Sequence, residues 1–298
     1  MDLSMDRRAM VAALTTVVLW ASAFVAIRAA GEHFAPGALA LGRLVAGALT
    51  LLVFLVIRRE GLPKREAWPG IAAAGVLWFG AYMVVLNWGE QLVDAGTAAM
   101  LVNVGPILIA LLGGWLLREG FPGRLLAGLA VSFAGAVVVG LSMSGRGHAP
   151  VLGVVLCLLA AITYAGGVVS QKPALKHASA LQVTTFGCLI GAIACLPFAG
   201  QLVDDLATAP AEATLSMLYL GVFPTALAFT TWAYALARTT AGKMGSTTYA
   251  VPAVVVLMSW AVLGEVPGWR SLAGGVLCLA GVAVSRAKRE PVLARQRL

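Results

Sequence analysis

Charge is what this chain has least of, and its placement excludes more than its scarcity does. Of 298 residues only 11% are charged. The thirteen carboxylates (Asp2, Asp6, Glu32, Glu60, Glu66, Glu90, Asp94, Glu119, Asp204, Asp205, Glu212, Glu265 and Glu290) all fall in tails, loops or the ends of long apolar runs. His33, His148 and His177 lie outside the runs too. The pattern leaves no mid-run carboxylate for a path of cations or cationic drugs, and no proton-relay residues in the core. Gly242-Lys243-Met244 lacks the upstream glycine and the Ser/Thr of a GxxxxGK[ST] loop, which excludes nucleotide hydrolysis by that route. There is no HExxH and no paired-aspartate motif, so an intramembrane enzyme finds no catalytic residues, and neither a cofactor nor a metal is expected. Cys157, Cys188, Cys195 and Cys278 sit in apolar runs without CxxC spacing and read as packing residues.

What fills the chain instead is apolar. Hydrophobic residues make up 60% of it and the mean hydropathy is +0.91, far from the balance of a water-soluble domain. A helix needs roughly 20 apolar residues to cross a bilayer core. Ten stretches of about that length are expected to span, at 10 to 30, 36 to 57, 69 to 89, 96 to 117, 124 to 142, 151 to 171, 180 to 199, 213 to 236, 244 to 263 and 270 to 286. They are continuous and rich in Leu, Ala and Val, which favours helices over the alternating segments of a barrel. The expected fold is therefore an all-α integral membrane protein with ten transmembrane helices. Arg7-Arg8 followed by an apolar run and Ala21-Ser22-Ala23 resembles a signal peptide, but the repeat described next pairs the first span with the sixth and argues that it is retained.

The chain is written twice. At an offset of 146, Ala95-Gly96 returns as Ala241-Gly242, Pro106 as Pro252, Glu119 as Glu265, Arg124 as Arg270, and Leu126-Ala127-Gly128 as Leu272-Ala273-Gly274. At an offset of 144, Trp20-Ala21 falls on Tyr164-Ala165 and Arg28 on Lys172. Two five-helix repeats, 1–145 and 146–298, follow. With five spans each they must face opposite ways, a 5+5 inverted-topology repeat of the kind that builds transporters. Of the 21 Lys and Arg, 17 lie on the side that holds both termini. The positive-inside rule puts that side in the cytoplasm. The net charge of +8 thus serves topology and lipid headgroups, and no nucleic-acid partner is expected.

Three features suggest where a substrate would bind. Arg43 lies seven residues past Pro36, about 10 Å into the second span. There it either meets a substrate carboxylate, holds the first two spans in register, or snorkels to the outer surface. Pro106 and Pro252 fall near the middle of the fourth and ninth spans and free the carbonyls of Val102 and Thr248. Matched interruptions of this kind point to a site at the repeat interface or serve only as hinges, and Asn103, Ser246 and Tyr249 cluster beside them. Finally, Trp20 and Tyr164 are repeat equivalents deep in the first and sixth spans, while Trp78 and Tyr82 share a face of the third. They line a cavity or simply pack. Trp88 and Trp232 are expected near span ends as interfacial anchors, and Asn87 and Gln171 near headgroups.

The Trp20 to Arg28 run Trp-Ala-Ser-Ala-Phe-Val-Ala-Ile-Arg, Arg43, and the blocks from Pro106 to Glu119 and Pro252 to Glu265 together resemble the EamA family of the drug/metabolite transporter superfamily, across nearly the whole chain. The resemblance implies an inner-membrane, multi-pass metabolite exporter with a central cavity between its halves and alternating access. It is closest to the branch that exports aromatic and other amino acids. Small multidrug relatives carry a Glu in the first span, and this chain does not. The expected partners are an amino-acid substrate and membrane lipid, with the number of copies left open. A carrier of phosphorylated or nucleotide-linked metabolites, or of drugs, is the alternative.

Overall fold

The computed structural model describes residues 7–116, 123–144, 148–238, 244 and 247–286, and its elements there are helices, with no strand. In chain order they are α1 (Arg7–Ala30), α2 (Pro36–Ile57), α3 (Arg65–Leu92), α4 (Ala95–Leu116), α5 (Gly123–Ser144), α6 (His148–Ala174), α7 (Ala180–Ala194), α8 (Ala199–Thr208), α9 (Ala211–Arg238), α10 (Val251–Leu263) and α11 (Trp269–Arg286).

Local chemistry sets the ends. Pro36 occupies the first position of α2, where its missing N–H costs nothing, and the Ala35 N–H just before it donates to Asp205 Oδ2 at 2.8 Å. Asp94 caps α4 by accepting from the Thr97 N–H at 2.8 Å. Ser179 and Gln182 form a reciprocal capping box on α7. Gly264, with φ 68°, closes α10 in the left-handed conformation that only glycine adopts without strain.

Among the described residues six helices of 22 to 28 residues are long and apolar enough to cross a membrane. The pair α7 and α8, bent by 53°, makes a seventh if counted as one span. Val251–Leu263 and the apolar part of α5, Leu126–Val139, are shorter. Large apolar side chains such as Leu14, Val18, Val53 and Phe54 stand exposed on the outside, the surface that a lipid solvent covers. The sequence reads 200–212 as a connection, whereas Ala199–Thr208 is helical and rests on α2, which is how Asp205 reaches Ala35.

Two spans are interrupted by π turns, Gly75–Ala81 in α3 and Gly221–Leu227 in α9, 146 residues apart. In the second, Pro224 has no N–H to return to the carbonyl of Leu220, so the ladder slips. Both turns begin on a glycine pressed against a neighbouring helix. A Cβ on Gly75 would come within 2.8 Å of Ile190 Cβ on α7, and one on Gly221 within 2.5 Å of Ala46 Cβ on α2. Ala46 and Ile190 are themselves 144 apart. The α5–α11 contact has the same reciprocity: Ser132 Oγ donates to the Cys278 carbonyl at 2.7 Å and Cys278 Sγ donates to the Ser132 carbonyl at 3.3 Å.

The core runs along the inside of α1. This helix packs on α9, on α10 and on the first half of α4, while α2 packs on α3, α7 and α9, and α3 packs on α6. The convergence of α1, α2, α3, α4, α6, α9 and α10 leaves a chamber between them.

Candidate functional site

One wall of the chamber is aromatic. Trp20 from α1 sits 4.9 Å, centroid to centroid, from Trp232 of α9, 5.9 Å from Trp78 of α3 and 6.4 Å from Tyr164 of α6. Trp78 reaches Phe229 at 4.7 Å and Tyr164 at 5.3 Å, and Tyr82 follows one turn later, 6.0 Å from Tyr164. The pairs meet edge-on or tilted, the arrangements that ring quadrupoles favour. The helix spacing explains the convergence, since 16, 20, 23, 24 and 27 share a face of α1, and 78, 82 and 86 a face of α3. The cavity, of about 50 Å³, is lined by Trp20, Phe24, Ile27, Arg43, Trp78, Tyr82, Leu86, Asn103, Pro106, Tyr164, Phe229 and Thr248, among others. That is room for a few waters, so a larger ligand enters only as side chains or helices move.

Arg43 is 3% exposed. Its Nε donates to Thr225 Oγ1 at 3.3 Å, inside the π turn of α9, and its Nη1 is buried with no protein acceptor. The guanidinium thus faces the cavity and binds α2 to α9. It neither ties α1 to α2 nor reaches the outer surface.

The chain breaks at Asn103 and Val104, dividing α4 into Ala95–Val102 and Gly105–Leu116, and Pro106 opens the second piece. Pro252 likewise holds the second position of α10, after a 3-10 turn over Thr248–Ala250. Each proline follows its break. Asn103 Nδ2 donates to the Thr248 carbonyl at 2.7 Å, joining the two breaks, while Asn103 Oδ1 is buried without a donor. Thr248 O is the carbonyl that Pro252 cannot engage. Ser246 lies outside the described residues, as does the side chain of Tyr249.

Several placements differ from expectation. Trp232 is fully buried in the aromatic wall, because the face of α9 that carries it and Phe229 turns onto α1 and α3, so it anchors no interface. Asn87 and Gln171 are also fully buried, and Asn87 Nδ2 donates to the Pro36 carbonyl at 3.1 Å, holding the start of α2. Glu90, at a span end as the sequence suggests, is nonetheless 0% exposed, with both carboxylate oxygens unbonded. Beside it Arg28 Nε donates to Glu265 Oε1 at 2.8 Å, and Arg28 Nη1 donates to the Glu90 carbonyl at 3.1 Å. Phe24 and Leu86 could have been found by extending the faces of Trp20 and Tyr82 by one turn, and Ile27 by extending that of Trp20 by two. No sequence signal marks Phe229. Among the described residues no three His, Cys, Asp or Glu gather as a metal site.

Long apolar helices around a buried chamber with one cation define a class: a multi-pass membrane protein with an internal binding cavity. The sequence matches the EamA-like transporter family over residues 7–141 and again over 151–287. The chain belongs to this family, and it is a transporter. It is similar to a protein of Streptantibioticus cattleyicolor described as "Probable terminal-alkyne amino-acid exporter", 37% identical over 279 residues and covering 92% of each chain. It is also similar to a Salmonella typhimurium protein described as "Probable amino-acid metabolite efflux pump", 27% identical over 292 residues, with 94% of this chain and 95% of the relative covered. A solved crystal structure superposes with a TM-score of 0.64 at 20% identity, covering 97% of this chain and 99% of the other, which establishes likeness of fold.

Proposed function

We propose that this protein exports amino acids, aromatic and other neutral ones, across the inner (plasma) membrane by alternating access, with loose selectivity and both termini in the cytoplasm. The observation that carries the reading is a pair of unsatisfied groups of opposite kind in one aromatic chamber. Arg43 Nη1 is a donor without an acceptor and Asn103 Oδ1 an acceptor without a donor. A zwitterion supplies both missing partners, its carboxylate to the guanidinium and its ammonium to the amide oxygen. The Trp20 indole N–H, also buried without a partner, is a second donor for the carboxylate. Trp20, Trp78, Tyr82 and Tyr164 then face the side chain, and apolar contact discriminates weakly among side chains.

The ten-span, 5+5 inverted reading, with repeats 1–145 and 146–298, is supported by the matched π turns and the reciprocal Ser132–Cys278 exchange. Orientation is supported by the 17 of 21 Lys and Arg on one side. Ser246 and Tyr249 are proposed to complete the substrate site beside Asn103, and Pro106 and Pro252 to hold the paired breaks about which the halves rock. A phosphorylated metabolite would call for a second cation in the chamber. Arg28, the nearest candidate, is engaged by Glu265.

The test is counterflow. Purified protein in liposomes preloaded with one unlabelled amino acid is offered labelled phenylalanine, then a panel of competitors. Uptake that many neutral amino acids compete for is expected. Absence of uptake for every amino acid in the panel defeats the reading.

A further inference from the structure

Glu90 is a buried group that the substrate reading does not use. Positions 78, 82, 86 and 90 succeed one another on one face of α3, and the first three line the cavity. Glu90 therefore sits one turn beyond the chamber's edge. Among the described residues it is the one fully buried carboxylate, and neither of its oxygens accepts a hydrogen bond. Burying a carboxylate costs heavily unless it is paired and hydrogen-bonded. Arg28 does not serve it, because it gives its Nε to Glu265 and its Nη1 to the backbone carbonyl of Glu90.

The groups facing Glu90 come from every side. Arg43 lies on α2, Arg28 on α1, Glu265 just after α10, Asp94 at the start of α4, Cys157 on α6 and Tyr82 two turns back on α3. The positive charges of Arg43 and Arg28 work against a metal cation or a cationic substrate as the occupant. A proton fits. It removes the charge that burial penalises and turns one orphaned oxygen into a donor. The site also has a seal. Arg28 and Glu265 pair from α1 and the loop beyond α10, at the end of the bundle that the charge distribution assigns to the outside.

From this burial, this orphaned pair of oxygens and this ion pair we propose that Glu90 is a proton-binding site that couples export to proton entry, with Arg28–Glu265 as its outer seal. The inference rests on the transporter reading of the cavity. When the outer seal parts, water delivers one proton to the Glu90 carboxylate. When the chamber opens inward, the same proton leaves to cytoplasmic water, and the carboxylate is restored. The uncharged run centres read from the sequence favour flux without a proton. A carboxylate buried at a span end supplies the coupling group they lack.

Two measurements on the full chain in liposomes test this. The first needs no substrate: an infrared titration of the wild type and of Glu90→Gln. The expected result is a protonated-carboxyl band that titrates in the wild type and is lost in the variant; identical spectra overturn the proposal. If Glu90→Gln does not fold, Glu90→Asp serves, with the band shifted where the site is real and unmoved where it is not. The second follows phenylalanine counterflow together with a trapped pH dye. Glu90→Gln is expected to keep counterflow and lose substrate-dependent proton movement; proton movement equal to the wild type's overturns the proposal. A titrating band in a protein that moves no amino acid supports the proton site and defeats the amino-acid reading, so the two fail separately.

Discussion

Asn103 Nδ2 donates to the carbonyl of Thr248 at 2.7 Å, so the amide at the break in α4 satisfies the backbone group that Pro252 leaves open in the other half of the chain. This bond ties the two helix breaks together. Asn103→Ala leaves the Thr248 carbonyl without that donor in a buried setting and is expected to cost about 1–3 kcal/mol, read as a lowered unfolding midpoint in detergent. A midpoint equal to the wild type's would show that the bond carries no weight.

Pro252→Ala restores a backbone N–H at 252, in position to compete with Asn103 for the Thr248 carbonyl. The helix is then expected to extend backward through 248 and the two halves to uncouple. In a double-mutant cycle, Asn103→Ala should cost less in the Pro252→Ala background than in the wild type. Equal costs in both backgrounds would sever the link between the two breaks.

Arg43→Lys keeps the charge and loses the planar fork, and Arg43→Met loses both. Counterflow of neutral amino acids is expected to fall in the order wild type, Lys, Met, with about tenfold or more lost for Met if one charge-assisted bond to the carboxylate is removed. A Met variant that transports at the wild-type rate would take Arg43 out of the substrate site.

The sequence makes the apolar stretches and the 146-residue offset legible because hydrophobic length and repeated Gly and Pro punctuation survive without any tertiary information. It also points to Trp20, Trp78, Tyr82 and Tyr164, since four-residue spacing and repeat equivalence put them on inward faces. Trp232 and Glu90 show where such reading stops. Each stands near a span end, and a span end looks the same in sequence whether its face turns toward headgroups or toward another helix. Packing decides: α9 turns Trp232 onto Trp20 and Trp78, and the neighbours of α3 enclose Glu90 completely. The interruptions in α3 and α9 divide in the same way. Pro224 announces one, while Gly75 gives no local sign of a π turn and is explained only by Ile190 pressing from α7.

Gly75 and Gly221 are expected to tolerate no larger side chain, since an added Cβ at either already meets a neighbour at 2.8 Å or less. Gly75→Leu and Gly221→Leu should each abolish monodisperse elution in size-exclusion chromatography, as overpacking forces helices apart. Gly200, with nothing within 4 Å of its Cβ position, is the control that should accept the same change. A folded, monodisperse Gly221→Leu would mean that α2 and α9 stand further apart than described.

The Arg28–Glu265 pair is partly exposed, 30% and 27% for the two side chains, so its worth to overall stability is small, about 0–1 kcal/mol. Its effect on conformation is larger in proportion. The pair forms only where α1 and the end of α10 close together, so breaking it shifts the balance toward the outward-open state by its differential free energy. Glu265→Gln is expected to leave the unfolding midpoint within a degree or two of the wild type's. It should also raise labelling of a cysteine placed at Ile27 by a membrane-impermeant thiol reagent several-fold. Ile27 suits the probe because it lines the cavity, is 1% exposed and lies one residue before Arg28. Arg28→Gln should raise labelling to the same extent, and the double variant no further, because either change removes the same contact. Labelling that stays at the wild-type level in both single variants would mean that the outer side is closed by the apolar packing of α1 on α10, with the ion pair incidental to it.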